Sequence, residues 1–299
     1  MNQLNIDGTD HDACEIPFKF RDRSSTLRME RCSGRDQVVR QIEETGWQSY
    51  EAPLPNVICE LIASRNSTFL DIGANSGFYS LIAASGGCKD VRAFEPVPFI
   101  AELLRRNIKH SRTPDTARIK IFQEALSDRQ GPAEIYIPDQ QHGLIETSAS
   151  LNREFRSKHS DKFIVKTTTI DDHVQNHPLN KNCRLVIKID VESLEETVIK
   201  GSLKTIQNYR PAILVEVLPG ANLDFYKTFM DTHEYTHYPL LHYINRLVAS
   251  PEIHPSHHQR DHLLMPAEQR PPAILDKTMA RWYGRILWLR DSVKRTLSR

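Results

Sequence analysis

The sequence predicts an α/β chain built on a doubly wound, mostly parallel sheet of the Rossmann type, and three observations carry that expectation. From residue 68 to residue 217, short apolar runs alternate with amphipathic ones. Leu185-Val186-Ile187 and Ala212-Ile213-Leu214-Val215 are apolar throughout, as strands covered on both faces must be. A turn bearing Gly73 and Gly77 joins the apolar run over 68–72 to a helix, the place where such sheets take up ligands.

The elements follow in order. Residues 1–35 show little apolar periodicity and read as an irregular arm with charged stretches at 19–23 and 28–31. Val38, Val39 and Ile42 share a face of a helix over Gln37–Thr45, which Gly46 stops. A second helix is expected over residues 56–64. A strand over 68–72 precedes a helix over 78–85 that Gly86-Gly87 ends. A strand over 91–95, a helix over 98–110 with Pro98 near its start, and a strand over 117–122 come next. The fourth strand spans 185–190, its helix 194–201, and the fifth strand 212–217. Residues 131–170 break the rhythm: 133–137 and 163–169 read as strands around a polar stretch, an insertion hairpin or lid near the site. A helix over 223–232 and strands over 238–243 and 262–265 complete the sheet.

Pro266, Pro271 and Pro272 mark a boundary. Beyond them a helix starts at Ile274 and runs to the last residue, Arg299. It has Met279, Trp282, Ile286, Leu289 and Val293 on an apolar stripe among seven basic residues. Docking on the domain or on a homodimer partner is the preferred reading; contact with an anionic membrane surface is the alternative. The division is therefore 1–50, an N-terminal arm and helix; 51–266, the main domain; and 267–299, a basic amphipathic extension.

Composition narrows the function. The 299 residues carry 39 basic and 38 acidic side chains, a net charge of +1, with no global electrostatic footprint for nucleic acid. Five scattered cysteines form no C-x-x-C pair, which argues against a disulfide framework or zinc module and fits a reducing compartment. The first 12 residues lack the pattern of a signal peptide, and no apolar run approaches the ~20 residues of a membrane helix. The expected location is the cytoplasm.

The segment from Phe69 to Tyr79 is the most informative. Gly73 permits a sharp turn without a Cβ, Asn75 suits a left-handed position, and Gly77 allows close contact at the helix start. Asp71 would offer an anion to a ligand ammonium. Glu95 ends the second strand, where a carboxylate grips ribose hydroxyls. An acid before the loop, small residues within it and an acid after the second strand match a methionine-plus-ribose ligand. The alternative is a nicotinamide dinucleotide, but its G-x-G-x-x-G pattern would need glycines where Asn75 and Phe78 stand.

Seven motifs in order extend this reading: Leu70-Asp71-Ile72-Gly73-Ala74-Asn75-Ser76-Gly77, Ala93-Phe94-Glu95-Pro96, Ala125-Leu126-Ser127-Asp128, Ser148-Ala149-Ser150-Leu151, Thr169-Ile170-Asp171-Asp172, Ile187-Lys188-Ile189-Asp190-Val191-Glu192 and Leu214-Val215-Glu216. With them the chain resembles the FkbM-type family of class I methyltransferases from about Tyr50 to Pro266. The resemblance implies S-adenosyl-L-methionine as cofactor and O-methylation of a glycan or natural-product hydroxyl. It puts Asp71, Gly73, Ala74, Asn75, Gly77, Glu95, Ala125 and Leu126 at the cofactor. One departure stands out: the family usually continues Asp-Val-Glu with glycine, and here Ser193 follows.

For the acceptor end, the strand reading offers Asp190, Glu192 and Glu216 at the carboxyl edge of the sheet, with Lys188 as a pairing cation. Methyl transfer requires alignment and, for a hydroxyl, removal of a proton, so these carboxylates are the catalytic candidates, and His142 in the insertion is next. Asp190 and Glu192 could instead cap the following helix. No metal is expected. Seven histidines between His233 and His262 read as residues of a solvated loop. Two other functions stay open beside the nicotinamide oxidoreductase: a non-catalytic cofactor- or partner-binding relative, and a nucleic-acid methyltransferase. The acidic, non-aromatic run Val191-Glu192-Ser193 speaks against the last.

Overall fold

The structure, a computed structural model, describes residues 12–63, 66–111, 115–138, 149–152, 159–241, 247–256 and 259–272. The chain opens with an antiparallel hairpin of β1 (Ala13–Phe20) and β2 (Arg23–Glu30). The expectation of an irregular arm is corrected here. Cys14, Ile16, Phe18 and Phe20 alternate with exposed residues and are buried. This is the two-residue period of a half-buried strand, which a search for helical faces passes over.

Helix α1 (Gln37–Thr45) follows, with Asp36 Oδ1 accepting from the Val39 amide as its cap. Helix α2 (Leu54–Ile62) starts two residues before the position read from sequence. Then come β3 (Ser67–Ile72), α3 (Phe78–Gly86), β4 (Asp90–Phe94), α4 (Pro98–Ser111), β5 (Ile119–Phe122), β6 (Ala125–Leu126), β7 (Gly131–Pro138), β8 (His159–Thr168) and α5 (Ile170–Asn176). The second half holds β9 (Arg184–Ile189), α6 (Glu195–Lys200), α7 (Leu203–Tyr209), β10 (Ala212–Glu216), α8 (Leu223–His233), β11 (Tyr235–Pro239) and β12 (Asp261–Pro266). Two helices, α5 and α7, were not read from sequence; each is seven residues, too short to show a clear apolar face.

Among the described residues, seven strands form one sheet in the order β11-β12-β10-β9-β3-β4-β5. The five from β10 to β5 are parallel; β12 runs antiparallel to both β10 and β11. Alternate residues of each central strand feed opposite layers. Phe69, Val91, Val186 and Leu214 pack with α2, α3 and the hairpin. Leu70, Ile187, Ile213 and Val215 pack with α6, α7 and α8. The insertion is a small sheet, β6-β8-β7, beside the carboxyl ends of the large one.

Two histidines depart from the solvated loop expected of their stretch. His237 on β11 and His262 on β12 are buried, and His237 Nε2 lies 2.9 Å from His262 Nδ1. Burial pushes them down to about 4 and about 3, so both rings are neutral. His142 and the helix expected from Ile274 onward lie outside the described residues, and among the described residues no helix is long and apolar enough to cross a membrane.

Candidate functional site

Beyond the carboxyl ends of β3, β4 and β9 lies a cavity of about 900 Å³, part of it open to solvent. Its floor is the loop after β3. The Gly73 and Ala74 amides both donate to Phe94 O, at 3.1 and 2.9 Å, so the loop stays clamped to the end of β4. Gly73 has φ +78°, and a Cβ there would lie 1.8 Å from Asp190 O. Only glycine permits that crossing of the two strand ends. Asn75 takes φ +52°, and its Oδ1 accepts from the Ser76 amide at 2.7 Å. Gly77 serves another contact: its Cβ would meet Leu104 Cδ1 on α4 at 2.2 Å.

Glu95 forms one wall and is buried. Its Oε2 accepts from the Asn75 amide at 3.0 Å and its Oε1 from the Val97 amide at 2.9 Å. Burial pushes this carboxyl up to about 7, against the pull of those two amides. A carboxylate offers about four acceptor positions, so two amides leave capacity for a diol. Ala125, Leu126, Ile135 and Leu151 make an apolar wall that suits a flat heterocycle.

At the other end stand Lys188, Asp190 and Glu192. Lys188 is buried; its Nζ donates to Asp190 Oδ2 at 2.9 Å and lies 4.7 Å from the Tyr79 ring centre. Glu192 and Ser193 have φ of +58° and +79°, a left-handed pair that turns the chain between β9 and α6. Glu195 Oε1 accepts from the Val191 and Ser193 amides and braces the turn from behind, at 3.0 and 3.2 Å. Burial pushes the Glu195 carboxyl up to about 7.

Of the residues singled out from sequence, the fold brings Gly73, Ala74, Asn75, Glu95, Ala125, Leu126, Asp190 and Glu192 onto the walls of this one cavity. Three are not on its walls. Gly77 packs against α4. Asp71 is completely buried; Ser80 Oγ donates to its Oδ2 at 2.6 Å, and it pairs in register with Lys188. Burial raises the Asp71 carboxyl, and the charge of the protein's own Lys188 works against that rise. Glu216 is held by Arg260 at 3.0 Å and stands opposite Asp261 in register. Burial, with Asp190 and Glu192 nearby, holds the Glu216 carboxyl well above its usual range.

Sequence reasoning missed Val38, Tyr50, Glu51, Tyr79 and Glu124 on the walls. Tyr79 OH donates to Glu51, whose carboxyl is raised by burial and by Asp190. Nothing in spacing links Glu51 to the loop after β3; the turn between α1 and α2 supplies the missing connection by packing Tyr50 against Phe78, ring centres 5.2 Å apart.

A Rossmann-like sheet with a cavity open to solvent at its carboxyl edge defines the class. The particular branch follows from the sequence of that half of the chain: the protein belongs to the methyltransferase FkbM domain family, which matches residues 71–241. Among solved structures, an FkbM methyltransferase from Methylobacillus flagellatus is 15% identical, with a TM-score of 0.44, over 67% of this chain and 44% of that one. The chain therefore spans less than half the length of that relative. A cofactor-bound protein from MTB, Rv0187, is 13% identical, with a TM-score of 0.41, over 73% of this chain and 81% of its own. A SAM-dependent methyltransferase from Agrobacterium tumefaciens is 9% identical, with a TM-score of 0.41, over 85% and 70% of the two chains. No curated protein matches the sequence.

Proposed function

We propose that this methyltransferase uses S-adenosyl-L-methionine to methylate a hydroxyl of a glycan or natural product. One observation carries the reading. A single cavity joins the Gly73–Asn75 floor and the Glu95 carboxylate at one end to the Asp190 and Glu192 carboxylates at the other. Glu95 would hold the ribose diol, the apolar wall at Ala125 and Leu126 the adenine, and the loop after β3 the methionine part. The cofactor, when bound, supplies an electrophilic methyl group. The protein's own contribution is alignment, worth about 7–11 kcal/mol in favourable systems, and acceptance of the hydroxyl proton.

Asp190 suits proton acceptance better than Glu216. Its side chain is 29% exposed and lines the cavity, whereas Glu216 is tied to Arg260 off the walls. Lys188 fixes the Asp190 carboxylate by one oxygen and leaves the other for an acceptor.

Calorimetry with S-adenosylmethionine and S-adenosylhomocysteine, followed by labelled-methyl transfer to glycan and lipid fractions with RNA as control, tests the reading. Binding of both compounds and labelling of a glycan fraction are expected. Binding of a nicotinamide dinucleotide alone, or labelling of RNA alone, would overturn it.

A further inference from the structure

The insertion carries a serine that the functional reading leaves unused. Ser150 is buried, and its backbone pairs both ways with Tyr136 of β7: the Tyr136 amide donates to Ser150 O at 2.8 Å, and the Ser150 amide donates to Tyr136 O at 3.1 Å. Its hydroxyl then reaches off the insertion. Ser150 Oγ donates to Glu192 O at 2.6 Å and accepts from the Asn152 amide at 2.9 Å. The neighbours Ala149 and Leu151 both line the cavity. They pack with Val97, Ala125 and Ile135, on the wall that also holds Leu126. The 149–151 segment thus lines the cavity with two apolar side chains and reaches the turn after β9 with its one hydroxyl.

The carbonyl it meets belongs to a turn that needs support. Glu192 and Ser193 are consecutive left-handed residues without glycine, and such backbone persists only where its surroundings over-determine it. The Asp190 amide, which donates to Ile72 O at 3.1 Å, ties the start of the turn to the end of β3, and Glu195 Oε1 holds the Val191 and Ser193 amides. Ser150 supplies the third support, from the insertion.

We propose that Ser150 is a positioning residue that latches the insertion onto the 190–193 turn, so that filling the Glu95 and Ala125 end of the cavity steadies the Asp190 and Glu192 carboxylates at the other end. The coupling rests on the methyltransferase reading of the cavity; the latch itself does not. Ser150 thereby acquires a physical role, as a short donor held on β7 that reaches the turn after β9.

Hydrogen exchange measured by mass spectrometry tests both parts on the full chain. In the free protein, Ser150→Ala and Ser150→Cys should speed exchange of the 191–193 amides at least tenfold, with the 74–77 amides and the global melting midpoint little changed. Ser150→Thr, which keeps the hydroxyl, should stay within threefold of the parent. With S-adenosylhomocysteine added, the parent should gain protection at 74–77 and at 191–193, and Ser150→Ala only at 74–77. Unchanged exchange at 191–193 in the Ala and Cys variants, acceleration spread evenly over the chain, or failure of Thr to restore protection would each overturn the latch. Protection at 191–193 persisting in Ser150→Ala with the ligand bound would overturn the coupling. Absence of any effect of S-adenosylhomocysteine at 74–77 would instead fault the cofactor reading and overturn the coupling with it, while the free-protein comparison still decides the latch.

Discussion

Lys188 Nζ stands 2.9 Å from Asp190 Oδ2, and the same lysine is the register partner of Asp71 on the adjoining parallel strand. One ammonium is therefore ion-paired with a carboxylate on the cavity wall and acts through its charge on another that is completely buried. Burial works against the charged form of Lys188, but Asp190, Asp71 and Glu51 outweigh it and hold its pKa above the usual lysine range. Asp71 needs that charge: its Oδ1 has no hydrogen-bond partner among the described residues, and Ser80 meets only Oδ2.

Removing the ammonium should accordingly cost stability through Asp71 more than through Asp190, whose side chain is part-exposed. Breaking a buried pair by deleting one partner typically costs about 3–5 kcal/mol. Lys188→Met is expected to lose about that much in urea unfolding. Adding Asp71→Asn should recover roughly 1 kcal/mol or more, within the usual range of coupling between contacting residues. Strictly additive losses in the double variant would mean that Lys188 does not neutralise Asp71.

Glu95 gives a pH dependence with a definite sign. Its carboxyl is raised by burial to about 7, so in the free protein it gains its negative charge only as pH rises through that value. Two consequences run in opposite directions. The raised pKa contributes stability that is full below the ordinary carboxylate range and is lost as pH climbs through about 7. Ligand affinity should move the other way, because ribose hydroxyls need the carboxylate as acceptor. Binding of S-adenosylhomocysteine is expected to strengthen by about tenfold from pH 6 to pH 8, since charged hydrogen bonds contribute roughly 1.5–3 kcal/mol each. Glu95→Gln should flatten both dependences in calorimetry and urea unfolding. A variant that keeps the parental pH profile of binding would assign that titration to another group.

Much of this arrangement was legible in the chain itself, and the rest was hidden for identifiable reasons. The run from Phe69 to Tyr79 announces itself because each constraint is local: an apolar strand, a glycine at φ +78°, an asparagine at φ +52°, a helix start. The 24-residue step from Asp71 to Glu95 is legible too, since one strand–helix–strand unit has a nearly fixed length. The hairpin over residues 13–30 was missed although its period of two is written in Cys14, Ile16, Phe18 and Phe20. Glu51 and the Ser150–Glu192 bond are not local at all. The bond joins segments 42 residues apart, and only packing of the insertion and the N-terminal layer onto the sheet brings such residues to the cavity. Asp71 shows a third kind of limit: the residue type was informative, but spacing could not say whether a ligand or Lys188 would meet it.

Ser193 offers the last test, and it turns the departure from the family's usual glycine into a measurable strain. The residue holds φ +79°, directly after Glu192 at φ +58°. A side chain in that region costs about 1–2 kcal/mol relative to right-handed backbone, and a glycine pays nothing for it but loses about 0.5–1 kcal/mol more in chain entropy on folding. The difference favours glycine by roughly 0.5–1 kcal/mol. Ser193→Gly should therefore raise the unfolding free energy by about that amount in urea, with no change in the steepness of the transition. The Ser193 amide still reaches Glu195 Oε1 in the variant, because that bond belongs to the backbone. Ser193→Ala keeps the strain and removes only the hydroxyl, so it should leave stability within about 0.5 kcal/mol of the parent, as substitutions away from special features do. Should glycine lower stability, or alanine lower it by more than about 1 kcal/mol, the serine hydroxyl and not the backbone would be what this turn requires.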